Sequence, residues 1–253
     1  MKILTINVNK GGAGKTTLAH NLAEYFALDS KVLLFDFDDS ANLTHRYEEF
    51  DGIKNTVIKL FDGGVDEPIK LSANLSLYAG SSQVEQLKEQ LNSRRRREYL
   101  FGKWLGENYD RLESEYDYLV IDTENDEGIL TVNALIATDM VLGIAEASKD
   151  SVTALGRLKK FVSEINQDFE RNITLKFVAN KINFAETASK DLLDALESYP
   201  EYLGYLPRRT VLANDVALVN QPFNKVDDET YAIVIGLFET IKQELDKAGE
   251  DGE

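Results

Sequence analysis

Residues 9–17 read Asn9-Lys10-Gly11-Gly12-Ala13-Gly14-Lys15-Thr16-Thr17, and no other stretch of the chain restricts its fold so tightly. Before it, Ile3-Leu4-Thr5-Ile6-Asn7-Val8 is apolar and β-rich enough for a buried strand. After it, Leu18, Leu22 and Phe26, with Ala19 and Ala23, recur at helical spacing. Strand, glycine-rich turn, Lys-Thr and helix is the context that a phosphate-binding loop requires. Its glycines let backbone N–H groups converge on phosphate oxygens, and the helix start adds the positive end of its dipole. Lys15 would neutralise β- and γ-phosphate charge, with the Thr16 hydroxyl on Mg²⁺. The loop departs from the usual spacing at Asn9, which stands where the first glycine belongs, and it carries an extra lysine, Lys10. That lysine is either a solvated loop residue or a second cation for the same phosphates.

The rest of the chain alternates strand-like and helix-like segments. Apolar runs at 31–36, 75–79, 118–122, 140–144, 175–179 and 202–206 predict strands. Helical patterns are expected over 83–112 (broken near Asn92-Ser93), 148–168, 186–198 and 228–247, with a less regular region at 41–64. Continuous apolar strands separated by helices predict a mostly parallel α/β sheet covered by helices on both faces. With no internal repeat and no Pro- or Ser-rich linker, one domain over residues 1–248 is expected, followed by a frayed acidic tail at 249–253. There are no cysteines, which excludes disulfides and thiolate metal sites and fits a reducing cytoplasm. No apolar run reaches the length of a membrane span, and the chain opens on a strand, not a signal peptide. A formal charge of −16 opposes unspecific contact with nucleic acid or anionic lipid, so any such contact needs a local basic patch.

In a sheet of this kind ligands gather at the carboxyl ends of the strands. Asp122 closes an apolar run there, the pattern of a carboxylate that holds Mg²⁺ beside a phosphate-binding loop. Asp36, Asp38 and Asp39 follow the second strand. A carboxylate among them can orient a water for attack on a phosphoanhydride, though the residues alone leave open which one acts. His20, His45 and Trp104 are assigned to packing, with no role in chemistry.

The stretch Lys-Gly-Gly-x-Gly-Lys-Thr-Thr at residues 10–17 resembles the deviant Walker A motif of the ParA/MinD superfamily. Asp36 to Asn42 is similar to that family's Asp-Leu-Asp-Pro-Gln-Gly-Asn segment, and Tyr116 to Leu135 to its Walker B stretch and following helix. Leu206-Pro207-Arg208 resembles its late Ile-Pro-Arg segment, so the likeness runs over roughly residues 2–225. The resemblance implies an ATPase with ATP and Mg²⁺ as cofactors. Gly11, Gly12, Ala13, Gly14, Lys15, Thr16 and Thr17 would bind the phosphates; Asn180, Pro207 and Arg208 would border the base. Lys10 would reach across a homodimer to the partner's nucleotide, Asp38 would place the attacking water, and Thr16, Asp38 and Asp122 would serve the metal. Two departures stand out: Asp39-Ser40 replaces Pro-Gln, and Glu124-Asn125 replaces Pro-Pro. Losing the prolines should loosen both loops, and the added acids Asp39, Glu124, Asp126 and Glu127 should repel a triphosphate unless turned away or screened. Slow hydrolysis is expected from them.

Within the superfamily, the cysteine-dependent branches cannot be built from this chain. The C-terminal Thr240–Lys247 segment is mixed in charge, which argues against a membrane-bound helix. What the resemblance then implies is a short ParA, cytoplasmic and nucleoid-associated, serving plasmid or chromosome partition. It would bind DNA without sequence preference as an ATP dimer and be stimulated by a ParB-like centromere-binding partner. The alternatives are a related positioning ATPase for a protein cargo and a nucleotide-binding regulator that hydrolyses nothing. DNA contact would fall to Arg94, Arg95, Arg96 and Arg97 with Lys103; to Arg157, Lys159 and Lys160; or to Arg208 and Arg209 with Lys225. Pairing with the abundant Asp and Glu is the competing fate of each cluster.

Overall fold

Central strands that are apolar on both faces along most of their length need cover on both sides, and the fold supplies it. The computed structural model describes residues 1–47, 50, 54–64, 66–148 and 150–249; apart from Gly249, the acidic tail lies outside them. So do parts of the irregular region at 41–64.

The order begins β1 (Lys2–Asn7), α1 (Lys15–Phe26), β2 (Val32–Asp36), α2 (Ile58–Phe61), β3 (Ile69–Lys70) and β4 (Leu75–Tyr78). Next come α3 (Val84–Leu91), α4 (Leu100–Glu107), α5 (Tyr109–Glu115), β5 (Tyr118–Asp122), α6 (Ile129–Ala137) and β6 (Met140–Glu146). The chain closes with α7 (Ser151–Asp168), β7 (Thr174–Ile182), α8 (Thr187–Leu196), β8 (Tyr202–Pro207) and α9 (Asp228–Lys247). Eight strands form one sheet in the order β3-β4-β2-β5-β1-β6-β7-β8. Every pairing is parallel except β3 with β4. The expected mostly parallel sheet is what forms.

Successive side chains of a strand point to opposite faces, and here both faces are dry. Leu4 and Ile6, Val32 and Leu34, and Val120 pack with Leu22 and Phe26 of α1 and Phe238 and Ile241 of α9. Their sequence neighbours Ile3, Leu33, Phe35, Leu119 and Ile121 pack on the other face with Leu87, Phe101, Trp104 and Leu130. Along the same sheet, Val141, Ala145 and Phe177 meet Leu155, Leu158 and Leu192 of α7 and α8. Phe101 centres an aromatic group, 5.3 Å from Phe35, 5.1 Å from Phe37 and 6.0 Å from Trp104 between ring centroids. Trp104 is thus a core residue, as its helical spacing implied. The carboxylate of Asp227 caps α9 by accepting the N–H of Thr230 at 2.8 Å.

Two segments depart from expectation. The stretch 83–112 is three helices, because the turn after α3 runs on to residue 99 through Arg96 in a left-handed conformation (φ 54°) and a second break falls at Asn108. The two-residue edge strand β3 is too short for any alternation to announce it. No described helix is long and apolar enough to cross a membrane.

Candidate active site

Strand β1 lies between β5 and β6, so the loop at 8–14 leaves the middle of the sheet at its carboxyl edge. Gly12 (φ 75°) and Gly14 (φ 101°) hold the left-handed turn that redirects the chain into α1. A Cβ on Gly14 would overlap the Asn180 side-chain amide, which donates to the Ala13 carbonyl at 2.7 Å. The helix starts at Lys15 with the N–H of Leu18 on the Gly14 carbonyl at 3.0 Å. The N–H groups of its first turn have no earlier carbonyl to meet and form a phosphate-sized donor set.

Lys15 is 6% exposed. Its Nζ donates to Oδ1 of Asn125, one of the residues standing where the related pattern has proline. Burial lowers its pKa, against the pull of Asp122, Asp38, Asp126 and Glu124. Asp122 and Asp36 are paired in register across β5 and β2, both completely buried. Asp36 is satisfied: Oδ2 accepts the N–H and hydroxyl of Thr44 at 2.9 and 2.7 Å, and Oδ1 the N–H of Asp38 at 3.2 Å. Burial still pushes its carboxyl up to about 6. Asp122 differs. No hydrogen bond of good geometry reaches either of its oxygens; burial, with the Asp36 charge second, drives its pKa far above the usual carboxylate range, and the Thr16 hydroxyl and the Lys15 charge oppose that rise only in part. A buried carboxylate so poorly satisfied is a strong acceptor short of donors, the condition a hydrated cation relieves.

Asp38 lies beyond the strand end in the next loop. It accepts the Ser40 N–H at 2.9 Å and the Ser40 hydroxyl, so Ser40 orients this carboxylate. Among the described residues no three His, Cys, Asp or Glu side chains form a metal-binding group. A cation that keeps waters and phosphate oxygens needs only one or two carboxylates; Asp122, with the Thr16 hydroxyl beside it, fits such an ion.

Lys10 sits apart from this pocket. Its Nζ lies 2.9 Å from Oε1 of Glu146 at the end of β6, beside the hydroxyls of Ser148 and, at 3.2 Å, Ser151. The two lysines of the loop therefore serve different neighbourhoods. Lys181 was missed from the sequence. A register shift late in β7 and a left-handed backbone at Lys181 (φ 57°) re-aim this segment. Its Nζ donates to the Gly12 carbonyl and lies 3.1 Å from Glu146. Arg46 was also missed: it bridges the Thr17 hydroxyl at 3.1 Å and the Asn214 carbonyl at 2.8 Å. With His45, Asn42, Asp215 and Thr16 it lines a cleft of about 360 Å³ beside the start of α1. No local motif signals either cation; only the tertiary arrangement brings them to the loop.

The base-bordering residues are split. Asn180 braces the phosphate loop, whereas Arg208, 63% exposed at the side chain, turns to Glu186 at 3.1 Å. Pro207 closes β8 and lines a separate pocket with Ile182 and Tyr205.

Comparison with known proteins agrees with this geometry. A family model described as an AAA domain matches residues 1–176. A ParA family protein of Chlamydia trachomatis is 32% identical over 197 residues, 70% of this chain and 72% of that one. This chain belongs to the ParA family. It is also similar to the chromosome-partitioning ATPase Soj of Treponema pallidum, 27% identical over 235 residues, with 91% of this chain and 90% of that one covered. A plasmid partition protein from Borrelia burgdorferi shares the fold, with a TM-score of 0.78 and 25% identity over 96% of this chain and 98% of that one.

For a ParA-family chain the nominated cations sort by whether they are already paired. Arg94 holds Asp62 at 2.6 Å, Arg97 holds Glu98 at 3.0 Å, and Lys160 holds Glu164 at 3.4 Å. Lys159 meets Glu201, Lys103 meets Glu107 at 3.5 Å, and Arg209 meets Asp227 at 3.8 Å. Among the described residues Arg95, Arg96 and Arg157 have no ion-pair partner. Arg95 and Arg96 open onto the same cavity as Tyr99 and Lys103.

Proposed function

We propose that this chain is an ATP-driven dimerisation switch for plasmid or chromosome partition. The reading rests on one observation above others: the two loop lysines divide, Lys15 toward the buried carboxylates and Lys10 toward Glu146 at the rim. In this reading ATP lies along the loop at 8–14 with its phosphates on the first-turn N–H groups of α1. Lys15 leaves Asn125 for the β- and γ-phosphates, and Thr16 and Asp122 hold Mg²⁺, which when bound neutralises phosphate charge. Asp38, steadied by Ser40, orients the attacking water. Lys10 exchanges Glu146 for the partner's phosphates, so closure of a homodimer completes each site. Asn180 acts here as a brace of the phosphate loop more than as a contact to the base.

The closed dimer holds DNA without sequence preference, and a ParB-like partner speeds hydrolysis and release. Arg95 and Arg96 are the best-placed of the nominated cations, because, like Arg157, they are not consumed by pairing with acids and, unlike it, they adjoin each other on one cavity with Lys103. Residues 1–248 act as one domain. Light scattering with and without ATP and Mg²⁺ tests the switch: a nucleotide-dependent doubling of mass is expected, and an unchanged monomer would remove the reading. In the same samples, reversal of Arg95 and Arg96 to Glu should weaken DNA retention and lower the salt slope by about 2. An unchanged slope moves the DNA contact elsewhere.

A further inference from the structure

Two of the acids expected to repel a triphosphate, Glu124 and Asp126, converge on a cation that no motif marks. Lys88, in the last turn of α3, is 16% exposed at its side chain. Its Nζ pairs with Oε2 of Glu124, lies 2.7 Å from Oε1 of Glu85 and 3.9 Å from Oδ2 of Asp126. Glu124, equally buried, uses its other oxygen to accept the N–H of Asp39 at 3.4 Å. Asp126 in turn accepts the Thr131 hydroxyl at 2.8 Å, at the start of α6. One ammonium group thereby ties together α3, the loop after β5 and the loop after β2.

We propose that Lys88 is a positioning residue for phosphoanhydride hydrolysis, acting through Glu124 to hold the Asp38 loop and the Asn125 loop in register. The inference rests on the ATPase reading above. Two consequences of the geometry support it. Asp39 adjoins the water-orienting Asp38, and Asn125 adjoins Glu124 while holding Lys15, so both ends of the reaction are one residue from the clamp. Glu124 and Asp126 also act on Lys15 through space, and their charges would act on a phosphate there in the same way. Lys88 draws those charges toward α3. The expected loosening at the lost prolines is thus opposed by an ion pair, and this pair is breakable where proline is not.

Removing Lys88 would strand the half-buried Glu124 charge, the costly way to break a buried pair. Single-turnover hydrolysis, with protein in excess over ATP and Mg²⁺, provides the test. Lys88→Met should lower the saturating single-turnover rate constant about tenfold or more while the protein concentration for half-saturation changes less than about threefold, since misplacing loops penalises chemistry more than binding. Lys88→Arg should keep most of the activity. Lys88→Met combined with Glu124→Gln should recover much of the loss, because no orphan charge is left. A Lys88→Met protein with the wild-type single-turnover rate constant would overturn the inference, whatever its melting temperature. So would a double variant no better than the single one. Lys15→Ala separates the two levels: if it hydrolyses ATP like the wild type, the ATPase reading has failed. If it is dead while Lys88→Met is normal, only the clamp has failed.

Discussion

The carboxyl edge of the sheet is built differently on its two sides of β1. On the β2 and β5 side the functional groups are carboxylates, fully buried at Asp36 and Asp122, and Asp122 accepts no hydrogen bond of good geometry. On the β6 and β7 side they are Glu146, Lys181 and Lys10, partly exposed and paired with one another. Buried charge without a partner costs stability and is kept only where a ligand compensates it. Paired surface charge costs little and can be exchanged for another partner. The first side is therefore suited to chemistry and the second to a contact made and broken.

Substitutions on the two sides should behave in opposite ways, the largest effects falling on the carboxylates. Asp38→Asn should reduce turnover by about a hundredfold or more with little change in ATP affinity, as expected for loss of a water-orienting base. A kcat within a few-fold of wild type would shift that role to Asp36 or Asp39. Asp122→Asn should also slow turnover yet stabilise the nucleotide-free protein. Burial raises the folded-state pKa of Asp122, and that of Asp36 to about 6, above the unfolded value. Their stabilising contribution is complete below the unfolded value and is lost as pH rises through the folded one. Removing the Asp122 charge should therefore raise stability at pH 8 by about 1 kcal/mol or more, a shift of about 2–4 °C per kcal/mol in a chain of this size. The gain should shrink as pH falls from about 8 and vanish below about 4, and a lower melting temperature at pH 8 would show that the free protein stabilises the Asp122 charge. Lys181→Met should have the smallest effect, within about 1 kcal/mol, because its ion pair is half-exposed. A larger loss would make the β7 brace part of the site's rigid frame.

The same division governs what could be read from the sequence. Lys15, Thr16 and Asp122 were legible because strand, turn and helix signals place them locally, and the central strands because two dry faces demand continuous apolar runs. Lys88, Arg46, Glu146 and Lys181 were not, since each meets the loops from a distant element. Asn180 was singled out by resemblance, but its amide braces the Ala13 carbonyl, a contact set by the late irregularity of β7. The basic clusters were legible as charge; which of their cations remain unpaired depends on Asp62, Glu201 and Asp227 arriving from elsewhere.

Lys10 joins the two sides, since it leaves the phosphate loop and ends on Glu146. The most direct test compares Lys10→Ala with Lys15→Ala, measuring ATP affinity of the dilute monomer and hydrolysis as a function of protein concentration. Lys15→Ala should lose both. Lys10→Ala should bind ATP nearly as well as the wild type but lose the concentration-dependent hydrolysis. Equal loss of binding and turnover in the two variants would make Lys10 an ordinary lysine of its own subunit's loop and contradict a site completed by a second chain.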